Sequence, residues 1–148
     1  MAIATTPHLN FRGDARAALE FYHSVFGGQL VAVSYADANA VTDPAEASQI
    51  MWGQVASDEG FRVMAYDVPS HTEYAPGVIP LFVSVRSTDA DEIERYWGAF
   101  TAGAGAGSGS TSTVVVPLAP AAWAPLYGMA TDPFGVTWIF DVEVPWAG

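Results

Sequence analysis

The chain has 148 residues, the length of one domain, and at 51% hydrophobic and 14% charged it is too apolar for disorder. It lacks cysteine, which excludes disulfides, thiol nucleophiles and iron–sulfur ligation, and it lacks lysine, which excludes a P-loop and Schiff-base chemistry. A net charge of −11 should repel nucleic acid and anionic membrane surfaces and tolerate or attract cationic ligands.

The opening residues carry neither a basic stretch nor a long apolar run, so no signal peptide is expected. No apolar run approaches the roughly 20 residues that span a bilayer, and a cytoplasmic protein with no membrane partner is the expectation. A first strand is expected at His8 to Arg12. A helix follows from about Asp14 to Phe26, with Asp14 placed to cap its free N–H groups. Ala15, Ala18, Leu19, Tyr22 and Phe26 recur at spacings of three and four and make one apolar stripe. Gly27-Gly28 supplies the left-handed residue that ends such a helix.

Strands are then expected at Leu30 to Tyr35, Gln49 to Ala56 and Phe61 to Val68, with the acidic stretch Ala36 to Ser48 as a loop. After a linker at Pro69 to Val78 comes a strand from Pro80 to Arg86. A second helix begins at Asp89, with Glu92 three residues on, and its stripe is Ile93, Tyr96, Trp97 and Phe100. Gly103 stops it, and Ala102 to Thr113 reads as a mobile low-complexity segment. The last strands are expected at Ser112 to Val116, Tyr127 to Thr131 and Val136 to Val142, with the turn Asp132-Pro133-Phe134-Gly135 before the final one.

The order strand, helix, three strands therefore occurs twice. Asp14-Ala15 recurs as Asp89-Ala90, Phe21-Tyr22 as Tyr96-Trp97 and Gly60 as Gly135. This points to an internal duplication, with repeats at about 6–68 and 79–144 inside one domain of 1–148. The fold class is α+β, two βαβββ modules.

The stretch from His8 through Asn10, Gly13-Asp14-Ala15 and Phe21-Tyr22 to Phe26-Gly27-Gly28 resembles the opening of the vicinal-oxygen-chelate superfamily. That superfamily comprises glyoxalases, bleomycin-resistance proteins and ring-cleaving dioxygenases. Asp132-Pro133-Phe134-Gly135-Val136-Thr137-Trp138 resembles the entry to its last strand, and the PhnB-like subfamily is the nearest in pattern. The resemblance implies paired modules whose strands curl into an open cleft, commonly in a homodimer. It also implies metal ligands, His or Glu, on the first and fourth strands of each module.

By strict alternation along a strand, Leu9 and Phe11 should pack on the helix, and His8, Asn10 and Arg12 should face the cleft. The superfamily's ligand positions then fall at Thr6, Met64, Pro80 and Ile139. These residues ligate divalent metals poorly, and one His and one Asp in the cleft are fewer than the three or four ligands such a metal takes. The expectation is therefore a small-molecule-binding protein of the glyoxalase/bleomycin-resistance type, with no metal and no cofactor. His8, Asn10, Arg62, Tyr66, Phe82, Ser84 and Asp141 should contact the small organic ligand, with Arg62 otherwise paired to one of the many carboxylates and Asp141 otherwise the partner of an arginine. The alternative is a metal-dependent lyase, isomerase or dioxygenase of the same superfamily, with His8 among its ligands.

His23 is expected to be solvated on the first helix, and His71 with Glu73 to lie in a surface loop. Trp52, Trp123 and Trp138 are candidates to stack on a planar ligand. The run Gly103 to Gly107 has no G-x-G-x-x-G register and follows a helix, which argues against a dinucleotide fold and against a methyltransferase built on one. No G-x-S-x-G elbow supports a serine nucleophile in a suitable setting.

Overall fold

Two helices pack against two four-stranded sheets, one of each in either half of the chain. The computed structural model describes residues 3–102 and 112–145. The low-complexity residues 103–111, and with them the expected stop at Gly103, lie outside that range. The chain divides into units Met1–Pro76 and Gly77–Gly148. Among the described residues no helix is long and apolar enough to cross a membrane.

In the first unit the elements are β1 (His8–Phe11), α1 (Ala15–Phe26), β2 (Gln29–Ser34), β3 (Ile50–Ala56) and β4 (Arg62–Asp67). The sheet order is β1-β4-β3-β2, with β1 parallel to β4 and the other pairs antiparallel. The expected stripe of α1 is buried against β2, β3 and β4, where Val55, Val63 and Ala65 are buried on one face of the sheet, as are Leu9 and Phe11 of β1. Period-two alternation fixes that face, because every second residue of β4, and of β3 from Gly53 on, points to the same side. Gly53 of β3 also lies on this side. A side chain there would collide with the end of Leu19.

The start of α1 departs from expectation. Asp14 occupies the N-cap position, but its side chain makes no capping bond. The carboxylate of Asp67, at the end of β4, does that work. Its Oδ1 accepts from the N–H groups of Gly13 at 2.6 Å and Ala15 at 3.1 Å, and its Oδ2 accepts from Ile50 N–H at 2.9 Å. A carboxylate at the positive end of a helix is favourable in charge as well as in hydrogen bonding. The other end of α1 behaves as the sequence implies. Gly27 adopts φ +70 and donates to His23 O, and Gly28 follows at φ +87 with β3 backbone where a Cβ would sit. The expected loop Ala36–Ser48 holds one short 3-10 turn, Pro44–Glu46, whose first N–H groups are served by Asp43 Oδ1 on Ala45.

Tyr35, just past β2, donates its hydroxyl to Asp67 O at 2.7 Å. Burial, and then the nearby groups Tyr66, Asp67 and Glu46, raise its pKa above the ordinary 10.0. A raised pKa means that the folded state favours the neutral phenol. The resulting stability is complete below the unfolded value and is lost as pH rises through the folded one. Tyr35→Phe should therefore cost about 1 kcal/mol at neutral pH, and denaturant melts should show a flatter decline in stability above about pH 10. An unchanged alkaline limb would refute this role.

The second unit repeats the plan with β5 (Phe82–Ser87), α2 (Ala90–Thr101), β6 (Thr113–Ala121), β7 (Ala124–Thr131) and β8 (Thr137–Val142). Its order is β5-β8-β7-β6, and β5 runs parallel to β8. Both α1 with α2 and β4 with β8 are displaced by the 75 positions that separate Asp14 from Asp89. Asp89 caps α2 as expected, its Oδ1 accepting from Asp91 N–H at 2.9 Å. Ile93, Tyr96 and Phe100 are buried, and Phe100 packs on Trp138 and Phe140. The Asp132–Gly135 turn is held by one carboxylate. Asp132 Oδ1 accepts from Phe134 and Val136 N–H, each at 2.9 Å, while Oδ2 accepts from the indole N–H of Trp138 at 3.0 Å.

The largest difference in element length lies in the β6–β7 hairpin, which runs from Thr113 to Thr131 and not only over Ser112–Val116 and Tyr127–Thr131. Pro117 and Pro120 argue against a continuous strand, since proline lacks the ladder donor. Here β6 is the last strand of its sheet, so one of its edges needs no donors. The pairing with β7 shifts register at three places along it.

Candidate functional site

Each sheet has one face covered by its helix and one face free of it. In the first unit the alternation that buries Leu9, Val63 and Ala65 sends His8, Asn10, Arg62, Met64, Tyr66, Trp52 and Gln54 to the helix-free face. Pairing orders them in rungs: His8 lies beside Met64 and Met64 beside Gln54, while Asn10 lies beside Tyr66 one step on. Arg62 sits two residues before Met64, beside Ala56. The expected strand faces are thus the observed ones for all four site residues of this unit.

The polar ends on this face are unequally engaged. The Nδ1 of His8 lies 3.1 Å from Asn10 Oδ1, and the imidazole meets the Tyr66 ring edge-on at 5.2 Å between centroids. An amide oxygen only accepts, so Nδ1 carries the proton in the neutral ring and Nε2 keeps its lone pair. Among the described residues Arg62 makes one side-chain bond, a long 3.5 Å contact to Gln54 Oε1, and no carboxylate lies within ion-pair reach. Arg12, expected on the same face, turns to the segment after β4, where its guanidinium donates to the carbonyl oxygens of Val68, Pro69 and Thr72. Tyr74 from that segment stacks under Arg12 and donates to Asn10 O.

In the second unit the helix-free face carries Phe82, Ser84 and Arg86 of β5 beside Thr137, Ile139 and Asp141 of β8. Phe82 and Ser84 are exposed, as a ligand contact requires. Asp141 is already committed. Its carboxylate pairs with Arg86 at 3.0 Å through Nε and at 3.2 Å through Nη2, and Glu143 takes Nη1 at 3.3 Å. Hydrogen bonding and attraction from Asp141 raise the Arg86 pKa further above its ordinary value.

The remaining sequence candidates fall into ordinary places. Trp138 is fully buried in the core, and Trp123 is exposed in the β6–β7 turn against Tyr127. His23 contacts Gly28 O through Nε2 at 3.1 Å, and His71 Nδ1 lies 3.5 Å from Thr42 Oγ1 in a loop. A residue of this face that sequence reasoning missed is Gln54. It shares the rung of His8 and Met64, and its signal is its alternation with buried Gly53 and Val55.

The positions that the resemblance assigns to metal ligands do not fit a metal. Thr6 and Pro80 precede β1 and β5, and Met64 and Ile139 stand on the helix-free faces beside His8 and Ser84. Among the described residues no group of three His, Asp or Glu side chains gathers to hold an ion. A set of one imidazole with neutral neighbours lacks the anionic or nitrogen donors that a divalent catalytic centre uses.

A family comparison matches residues 6–140 to the Glyoxalase/Bleomycin resistance protein/Dioxygenase superfamily. A solved protein from Pseudomonas aeruginosa is 30% identical with a TM-score of 0.76, the match covering 96% of this chain and 98% of that one. The PhnB protein from Bacillus cereus is 18% identical, with a TM-score of 0.68 and coverage of 95% and 100%. TioX from Micromonospora is 19% identical at a TM-score of 0.55, with the same two coverages of 95% and 100%. A search of curated proteins finds no match. The duplicated βαβββ order and a match over nearly the whole length agree: the chain belongs to the glyoxalase/bleomycin resistance protein/dioxygenase superfamily.

Proposed function

We propose that the protein binds a small organic molecule on the helix-free faces of its sheets and does so without a tightly held metal. The observation that carries this reading is the first unit's face. His8, Asn10, Arg62 and Tyr66 surround Met64 there, with polar ends pointing away from the core and Trp52 and Tyr66 offering aromatic surface. Apolar and aromatic walls with a few placed polar groups are what small-molecule sites consist of. On the second unit's own helix-free face Phe82 and Ser84 are the ligand contacts of this reading, whereas Asp141 would act by holding Arg86 in place. The role is binding or sequestration, and a homodimer is part of the reading because each sheet ends in open strands.

The test combines metal analysis with a ligand screen. Purified protein dialysed against chelator should retain only substoichiometric divalent metal. Its Trp52 fluorescence should still respond saturably to at least one compound in a screen of small organic molecules, and the response should vanish in Trp52→Phe. Near-stoichiometric metal that survives dialysis would overturn the metal-free reading and favour a lyase, isomerase or dioxygenase. Sedimentation as a monomer at tens of micromolar would reject the homodimer.

A further inference from the structure

Among the described strand residues, the helix-free face of the first unit carries a basic side chain and no acidic one, against the sign of the chain's net charge. The protein carries 16 acidic and 5 basic residues. Yet none of the strand residues on this face is acidic: they are His8 and Asn10 of β1, Arg62, Met64 and Tyr66 of β4, and polar or apolar residues of β2 and β3. The single carboxylate in these four strands, Asp67, faces the other way and is buried under α1. Arg62 is therefore an exposed guanidinium in an acidic protein with no acidic partner among the described residues, and most of its five donors are uncommitted there. Arg86 of the second unit is the internal contrast, since two carboxylates saturate its fork.

We propose that this face selects a planar organic anion, with its carboxylate on Arg62 and its ring over Met64 toward Tyr66 and Trp52. The proposal rests on the binding reading above and narrows it to a ligand class opposite in sign to the one that net charge suggests. The spacing suits a molecule of one or two fused rings. Arg62 and Tyr66 are four residues apart on one strand, about 13 Å of extended chain, and the arginine side chain shortens that gap. A guanidinium offers a carboxylate two parallel hydrogen bonds, so charge and geometry act together. At the far end, the free Nε2 of His8 and the Tyr66 hydroxyl can meet a ligand hydroxyl. Attraction between a local cation and an anion survives a net negative chain because charges beyond about 10 Å are screened at ordinary ionic strength.

Three naphthalene probes of one shape test it by calorimetry and Trp52 fluorescence: naphthoate, naphthylmethanol and naphthylmethylamine. Naphthoate should bind tightest. Arg62→Gln should weaken it about tenfold or more while leaving the alcohol unchanged. The substitution is at an exposed position, and an unshifted melting curve will certify the fold. If the amine binds tightest, or Arg62→Gln leaves naphthoate affinity unchanged, the anion proposal falls and the binding reading stands on the probe that does bind. If no probe binds and Arg62→Gln instead dissociates a dimer, the face belongs to a second copy. Both the proposal and the placement of the ligand are then overturned.

Discussion

Asp67→Ala is expected to destabilise the protein by about 3–5 kcal/mol, or roughly 10 °C in melting temperature for a chain of this length. The carboxylate is 1% exposed and accepts from three backbone N–H groups that belong to three different places: the turn before α1, the first residue of α1 and the first residue of β3. Alanine removes all three acceptors at once and leaves the donors in a site too enclosed for full hydration. Asp67→Asn should fall between wild type and alanine, because an amide keeps one acceptor oxygen and turns a donor toward a donor. Urea melts of the three proteins measure the series. A loss below about 1 kcal/mol for alanine would mean that water or Asp14 takes over the capping, since that is the worth of one ordinary hydrogen bond.

In the second unit, Trp138→Ala should cost about 3–5 kcal/mol. The side chain is fully buried against Phe100, and it also donates its indole N–H to Asp132. Two effects are mixed in that figure, and Trp138→Phe separates them. Phenylalanine retains most of the ring packing but removes the indole hydrogen bond to Asp132 Oδ2, for an expected loss of about 1–2 kcal/mol. A double-mutant cycle of Trp138→Phe with Asp132→Ala should then show coupling. Additive effects would mean that the bond between the indole and the turn carboxylate contributes nothing measurable.

These two carboxylates also mark the limit of what the amino-acid order discloses. Periodicity located both helices, because a stripe at three- and four-residue spacing can be buried in only one way, and alternation set the face of every strand that carries a candidate site residue. Asp67 was invisible as a cap because capping is usually a local affair. Here the acceptor arrives from 52 residues away, through the parallel pairing of β1 and β4. Asp14 had the right type in the right place and was simply displaced. Asp141 was legible as a residue on the open face, but its bidentate pairing with Arg86 depends on β5 and β8 being neighbours. The extent of the β6–β7 hairpin was hidden by Pro117 and Pro120, whose ordinary meaning is interruption. The inverted charge of the first unit's face is likewise a property of which residues share a surface, and net charge averages it away.

The prolines of β6 have a consequence for open-ended stacking of strands at that edge. Val114, Val115 and Val116 are 45%, 53% and 38% exposed on a terminal strand, a sticky segment of the kind from which fibrils grow. Stacking a foreign strand there would soon meet Pro117 and Pro120, where the zipper of amide donors has missing teeth. The interruptions that disguise this strand in the sequence therefore guard this one edge against unlimited strand addition.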